Sequence, residues 1–186
     1  MKILVIGETI IDQYNFCETL GKSGKEPMLV LKGIKQEQYL GGVLSIARNL
    51  YELTKNITVI SMLGENKEHQ KHIKKELPKK IKTHFIYKEN SPTIVKRRYI
   101  DNISENKFLG IYNINDEILS LKNELQFQAI LKKEITKYDL VIVSDYGHGL
   151  ISKKTANIIC KKSNFLSLNA QVNSSNIGYH TTRNYK

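Results

Sequence analysis

The chain has 186 residues, of which 40% are hydrophobic, so it is long enough to bury the core of one ordinary soluble domain. Its net charge of +11 comes from 25 lysines but only 4 arginines, and base-reading proteins favour arginine, so nucleic-acid binding is disfavoured. No apolar run approaches the roughly 20 residues of a membrane span, and two distant cysteines, Cys17 and Cys160, indicate neither a disulfide framework nor a zinc site.

The N-terminus predicts a first strand rather than a secretion signal. Its apolar stretch, residues 3–6, is only four residues long, and no small-residue cleavage site follows it. With cysteines that are most simply reduced and no membrane segment, we expect a cytoplasmic protein with neither a membrane nor a nucleic acid as its partner.

Strand-like and helix-like segments alternate along most of the chain. Apolar runs and alternating residues predict strands at 2–7, 57–63, 83–88, 93–100, 108–112, 139–144 and 165–168. Helical spacing and capping signals, such as Ser152 before the last helix, predict helices at 42–53, 67–77, 115–137 and 152–162. The alternation indicates an α/β fold with a mostly parallel, Rossmann-like sheet and helices on both faces.

Two stretches, 13–35 and 83–112, break the alternation because each contains β-like segments without a helix. We expect them to form a small second sheet, a lid over the carboxyl ends of the core strands. Open α/β sheets bind ligands outside those carboxyl ends, so a functional site is expected in the loops that follow the core strands.

Two glycine-containing turns are candidate ligand contacts. Gly7 lets the chain turn straight after the first strand, so that Asp12 faces the crevice and can accept hydrogen bonds from hydroxyl groups. A turn glycine followed by a capping aspartate is the plainer alternative. Gly41 and Gly42 open a helix whose backbone N–H groups can meet a ligand, although a simple loop-to-helix turn explains them equally well. The dinucleotide fingerprint G-x-G-x-x-G is absent from the sequence.

The segment 90–98 carries three cations on a predicted strand. Side chains alternate along a strand, so Lys96 and Arg98 share one face and Arg97 lies on the other. Two cations on one face suit the phosphate of a substrate, but a solvated edge strand guarded by charge accounts for them as well.

The most informative stretch is 139–149, where an apolar run meets an acid, an aromatic residue and two glycines. Four apolar residues without a polar break indicate a strand buried on both faces. The segment after it, residues 144–149, is called the acidic loop below. It is aimed at the ligand-binding edge, where Asp145 could bind a sugar hydroxyl or a metal-bound phosphate. His148 is interpreted as a loop histidine rather than a catalyst.

Taken in order, these motifs resemble the ribokinase/PfkB family of sugar kinases. The matching features are Gly7 to Asp12, the lid, the helix start at Gly41 and Gly42, Pro92 and Thr93 before the basic strand, and the acidic loop. Residues 25–27 and the acidic loop resemble one branch, the kinase half of bacterial heptose-phosphate kinase/nucleotidyltransferases. That branch has a Ser-Asp-Tyr-Gly-Lys-Gly motif, from which only His148 differs. The resemblance extends to about Tyr179.

The resemblance implies an enzyme that uses ATP and Mg²⁺ to phosphorylate a sugar or sugar phosphate, with a heptose phosphate as one candidate. It implies a sugar pocket lined by Asp12, Gly41, Gly42 and Ser45, with Ser45 where the family often has Asn. Lys96 and Arg98 join the expected substrate-binding residues as the cations suited to a substrate phosphate. The resemblance also implies that Asp145 and Asn169 lie near the phosphates or their Mg²⁺. The family's frequent Asp-Pro-Lys is replaced here by residues 169–171. The lid segments are the implied homodimer surface.

The family's catalytic motif, Gly-Ala-Gly-Asp at a helix N-terminus, has no counterpart among the 11 glycines. Gly147 and Gly149 form the only Gly-x-Gly, and Leu150 follows where the motif needs Asp. We therefore expect residues 1–186 to form one incomplete ribokinase-like domain, with the C-terminal part of the fold missing. The catalytic base and most of the nucleotide site are expected beyond Lys186. Two explanations stay open: a truncated sugar kinase, or a non-catalytic remnant that binds sugars or partners.

Overall fold

The computed structural model describes residues 1–171 and 185, and within them the chain forms two β-sheets and four α-helices. The strands are β1 (Ile3–Gly7), β2 (Thr9–Lys22), β3 (Leu29–Gly42), β4 (Ile57–Gly64), β5 (Lys82–Lys88), β6 (Ile94–Asp101), β7 (Lys107–Asn113), β8 (Leu140–Asp145) and β9 (Leu166–Ala170). The helices are α1 (Val43–Leu50), α2 (Gln70–Glu76), α3 (Leu121–Glu134) and α4 (Lys153–Lys162), with a 3₁₀ turn at Ile135–Lys137.

The five-stranded sheet is entirely parallel and has the order β5-β4-β1-β8-β9. Every residue of β1 and β4 is buried, as a strand covered on both faces requires. Side chains of β1 alternate between two apolar clusters, one shared with Val43 of α1 and Ile73 of α2, the other with Phe127 of α3 and Ile159 of α4. The predicted α/β fold with helices on both faces is therefore confirmed.

The second sheet has the strand order β3-β2-β6-β7. β2 and β3 have 14 residues each and pair antiparallel, β6 joins β2 in parallel, and β7 returns antiparallel to β6. Only Glu8 separates β1 from β2, so the chain passes from one sheet to the other at the carboxyl end of β1. This passage brings the start of the second sheet to the edge where α/β sheets bind ligands.

The structure corrects the predicted extent of the lid. Residues 83–88 belong to β5 in the five-stranded sheet, because β5 pairs in parallel with β4 and buries Ile86 completely in the core. The second sheet instead consists of β2, β3, β6 and β7. β6 lies between β2 and β7, so the alternative of a charged edge strand is wrong.

The third helix begins later than predicted, whereas the last begins as predicted. Only the part of 115–137 from Leu121 onward is helical, and Ser120 caps it by accepting a 3.3 Å hydrogen bond from the N–H of Asn123. Ser152 caps α4 by accepting a 3.2 Å hydrogen bond from the N–H of Thr155. No helix in the described part of the chain is long and apolar enough to cross a membrane.

Candidate functional site

One face of the second sheet carries an acid, two cations and two aromatic rings. The parallel register of β2 and β6 pairs Asp12 with Lys96. Two residues further along each strand, the same register pairs Tyr14 with Arg98. The four side chains therefore lie on one face of the sheet, as predicted for Lys96 and Arg98. Arg98 donates a 2.5 Å hydrogen bond to Asp12 Oδ1. Its guanidinium also lies 5.6 Å from the ring of Tyr14 and 5.8 Å from that of Tyr112, within range of cation–π contacts.

The two glycines at the end of β3 are required by close approach to this pocket. A β-carbon at Gly41 would lie 2.2 Å from Asp12 Oδ2, so any other residue there would displace the carboxylate. Gly42 has a φ of +57° and is the N-cap of α1, and a β-carbon on it would meet the Glu8 carbonyl oxygen at 2.2 Å. Ser45 lies half-buried in the first turn of α1.

Lys96 brings a second positive charge to the same pocket. Burial lowers the pKa of its ammonium below the ordinary 10.5, and the carboxylate of Asp12 opposes that shift. Its Nζ lies 5.9 Å from the ring of Tyr112. Lys96 and Arg98 are thus two half-buried cations beside one acid, an arrangement suited to a ligand that carries both hydroxyl groups and an anionic group.

The acidic loop is organised by a buried acid that the sequence reasoning missed. Glu8 is fully buried, and its carboxylate accepts hydrogen bonds from the N–H groups of Tyr146 at 2.9 Å and His148 at 3.3 Å. Burial and then the neighbouring Asp145 raise the pKa of Glu8 from 4.5 to about 8. One signal was present in the sequence. Glu8 directly follows one apolar strand and Tyr146 directly follows another, so both lie at the carboxyl ends of core strands.

Asp145 and His148 have different partners within the acidic loop. Asp145 is buried at the end of β8, where Oδ1 accepts a 2.9 Å hydrogen bond from the N–H of Gly147 and Oδ2 accepts a 3.3 Å bond from the Tyr185 hydroxyl. His148 is also buried, and its Nδ1 lies 2.7 Å from Asp116 Oδ1. Burial lowers the pKa of His148, so its ring is neutral near pH 7 and Nδ1 donates to Asp116.

The structure therefore divides the predicted site residues between two places. Asp12, Gly41, Lys96 and Arg98 meet in the pocket of the second sheet. Asp145 lies in the acidic loop, and Asn169 is exposed on the neighbouring β9, where it pairs with Ser144.

Metal binding by protein side chains alone is not supported in the described residues, since no three His, Cys, Asp or Glu side chains among them converge to hold an ion. Mg²⁺ bound through phosphate oxygens needs only one or two protein carboxylates, however, and typically keeps several waters. The Asp145 carboxylate, at the carboxyl edge of the parallel sheet, fits that smaller requirement.

Comparison with known proteins gives the same family that the motifs resemble. The model of the pfkB family of carbohydrate kinases matches residues 1–165. The predicted end of the similarity, near Tyr179, lies outside the described residues.

Three similar proteins are each longer than this chain. Bifunctional protein HldE of Campylobacter jejuni is 29% identical over 167 residues, which cover 90% of this chain and 34% of that protein. D-beta-D-heptose 7-phosphate kinase of Bordetella bronchiseptica is 24% identical over 153 residues, covering 82% and 47%. The structure of Arabidopsis thaliana ribokinase complexed with ribose and ATP has a TM-score of 0.58 at 16% identity, covering 90% and 52%. The chain spans about a third of the first protein and about half of the others.

Proposed function

The chain belongs to the pfkB family of carbohydrate kinases, and we propose that it supplies the sugar-binding half of an enzyme that transfers a phosphoryl group from ATP to a sugar or sugar phosphate. A heptose phosphate is the first candidate, since a heptose 7-phosphate kinase is among its relatives. The observation that carries the proposal is the pocket in which Asp12, paired with Arg98, faces Gly41. A cytoplasmic location fits such a use of ATP.

In this proposal Asp12 binds sugar hydroxyl groups. Arg98 occupies Oδ1 of the carboxylate and fixes its orientation, and Oδ2 packs against Gly41, where a β-carbon would displace it. A carboxylate oxygen accepts hydrogen bonds from hydroxyl groups, and Lys96 and Arg98 can donate charge-assisted hydrogen bonds to a phosphate on the same sugar. Gly42 and Ser45, at the start of α1, are proposed to complete the sugar pocket.

Asp145 and Asn169 are proposed to lie on the nucleotide side of the crevice. Bound Mg²⁺ would neutralise charge on the phosphates of ATP, and Asp145 has the carboxylate to hold it. Phosphoryl transfer also requires a base near the accepting hydroxyl and donors for the developing charge. The family's Gly-Ala-Gly-Asp motif has no counterpart in this sequence. We therefore expect these residues to bind the sugar without phosphorylating it.

Calorimetric titration with heptose 7-phosphate tests the pocket, and ribose serves as a sugar without a phosphate. Arg98→Ala should weaken binding of the sugar phosphate by roughly tenfold or more, because a charge-assisted hydrogen bond contributes about 1.5–3 kcal/mol. Arg97→Ala is the matched control, since Arg97 lies on the same strand but on its opposite face. Equal losses in the two variants, or undiminished binding after Asp12→Ala, would contradict the pocket.

A coupled assay for ADP release tests the catalytic part separately. We expect no sugar-dependent ADP release from residues 1–186, although the sugar binds. Efficient phosphorylation by this chain would overturn the assignment of the base to a residue outside it. It would leave the proposed sugar pocket intact.

A non-catalytic, dimerising role is the second candidate, and the second sheet offers an observation for it. Leu109 and Ile111 on β7 pair with Tyr99 and Arg97, so they lie on the face opposite Arg98. These apolar side chains are 48% and 44% exposed. We propose that this face forms a homodimer contact. Sedimentation analysis should show a dimer that Ile111→Lys dissociates, and a monomeric natural chain would contradict the contact.

A further inference from the structure

Lys88 is a buried cation that the proposed kinase function does not use. It ends β5, and only 4% of its surface is exposed. Its Nζ donates hydrogen bonds to three backbone carbonyl oxygens, those of Asn115 at 2.6 Å, Glu117 at 2.5 Å and His148 at 3.1 Å. An ammonium group has three donors and no acceptor, so these contacts satisfy it completely.

The partners of Lys88 are unusual because they are neutral. Lysine is almost never fully buried unless it is paired with an acid, yet among the described residues Lys88 forms no ion pair with a carboxylate. Three carbonyl oxygens that converge on one point repel one another unless a cation lies between them. Converging carbonyl oxygens also replace the hydration shell of monovalent metal ions in proteins.

The three carbonyl groups belong to two segments that are packed tightly together. Residues 115–119 precede α3, and His148 belongs to the acidic loop. The N–H of Leu119 donates a 3.2 Å hydrogen bond to the Gly149 carbonyl. A β-carbon at Gly149, where φ is +86°, would lie 1.9 Å from the Glu117 carbonyl oxygen. The ammonium of Lys88 therefore lies where two closely apposed backbone segments direct their carbonyl oxygens inward.

We propose that these three carbonyl groups form a site for a compact monovalent cation, that Lys88 fills this site with its own ammonium group, and that Lys88 is thereby a positioning residue for the acidic loop. The side chain reaches the loop through the carbonyl oxygen of His148 and holds it against residues 115–119. The role in ligand binding rests on the proposed function, whereas the cation site does not.

Chemical rescue of Lys88→Ala tests the cation site directly. The substitution removes three side-chain carbons and the nitrogen, which together correspond to propylammonium. Lys88 also lines a small cavity with Met62, Pro92 and Asn115, which leaves space beside the missing group. We expect the variant to unfold roughly 5–10 °C below the natural chain, because three buried carbonyl groups lose their donors. Propylammonium chloride should restore part of that loss, and potassium chloride should restore more than choline chloride at equal ionic strength.

Two controls separate a specific site from a general salt effect. Lys122→Ala removes a lysine that is exposed and makes one ion pair with Glu89 at 2.9 Å, so it should show neither the loss nor the rescue. 1-Propanol, which has the size of propylammonium without its charge, should not rescue Lys88→Ala. A variant as stable as the natural chain, or one that responds to propanol and propylammonium alike, would overturn the proposal.

A measurement on the natural chain covers the case in which Lys88→Ala does not fold. With ¹⁵N-labelled lysine, the Lys88 ammonium should give an NMR signal that survives near pH 7, because its protons are buried and hydrogen-bonded, while exposed lysines exchange too fast to be seen. Absence of any such signal would refute the buried, saturated ammonium.

The positioning role is measured by the affinity for heptose 7-phosphate, with and without propylammonium. Lys88→Ala should bind more weakly, and propylammonium should restore affinity together with thermal stability. If the natural chain binds no sugar phosphate, the proposed kinase function fails while the stability rescue still decides the cation site. If stability is rescued and affinity never changes, the positioning role is wrong.

Discussion

Replacing Glu8 by glutamine should remove a pH dependence from the stability of this protein. Glu8 is fully buried, and burial first and Asp145 second raise its pKa from 4.5 to about 8. Between those two values the folded protein keeps a proton that the unfolded chain releases. The free energy of unfolding therefore falls as the pH rises from about 4.5 to about 8, by at most about 1.4 kcal/mol per pH unit.

Glutamine has nearly the shape of glutamate but does not titrate. One of its terminal groups is a donor, so it can accept only one of the two hydrogen bonds that the N–H groups of Tyr146 and His148 donate to Glu8. Near pH 5 the variant should be less stable than the natural chain by about 1–3 kcal/mol, the cost of one buried N–H without an acceptor. The difference should shrink as the pH rises and reverse by about pH 8, because only the natural chain acquires a negative charge on residue 8 beside Asp145 and loses up to about 1.4 kcal/mol per pH unit.

Urea unfolding followed by circular dichroism at several pH values measures both effects, since the chain has no tryptophan for fluorescence. Glu18→Gln is the matched control. Glu18 is exposed, and its 3.6 Å contact with Lys32 lies on the surface, so this variant should follow the natural chain at every pH. If the curve of Glu8→Gln runs parallel to that of the natural chain between about pH 5 and pH 8, Glu8 does not carry a raised pKa and the reasoning fails.

Three further outcomes can be measured on single variants. Gly41→Ala should weaken heptose 7-phosphate binding about tenfold in calorimetry by displacing the Asp12 carboxylate, whereas Gly33→Ala, with open space around its new β-carbon, should leave binding unchanged. Ser152→Ala should lower the free energy of unfolding in urea by about 1 kcal/mol, because α4 loses its N-cap. Gly149→Ala should cost more than Ser152→Ala in the same assay, since its φ is +86° and its β-carbon would meet a carbonyl oxygen at 1.9 Å.

Helices and strands with strong local sequence signals were predictable. Features that depend on contacts with residues far away in the sequence were not. The apolar run at 139–144 and the helix after Ser152 occur where they were predicted. The composition of segment 83–88 predicts a strand but does not indicate which sheet the strand joins. Its parallel pairing with β4 places it in the five-stranded sheet. The carbonyl oxygens of Asn115 and Glu117 accept hydrogen bonds from Lys88, 27 and 29 positions away, and the helix predicted from 115 begins only at Leu121.

The candidate site shows the same division. Strand alternation was enough to place Lys96 and Arg98 on one face, since that property is local. The ion pair joins Arg98 and Asp12, which are 86 positions apart, and it depends on the parallel pairing of β2 with β6. The need for glycine at position 41 is likewise a consequence of tertiary structure, because the nearby atom belongs to Asp12 on the adjacent strand.

The backbone of the acidic loop is held by two buried ionisable side chains that come from outside it. Glu8 accepts a hydrogen bond from the N–H of His148, and Lys88 donates one to the carbonyl oxygen of the same residue. The carboxyl group of Glu8 therefore meets the donor of this residue's backbone and the ammonium of Lys88 meets its acceptor, while the His148 side chain makes a separate contact with Asp116. A test of the loop should accordingly begin at positions 8 and 88 rather than within the motif.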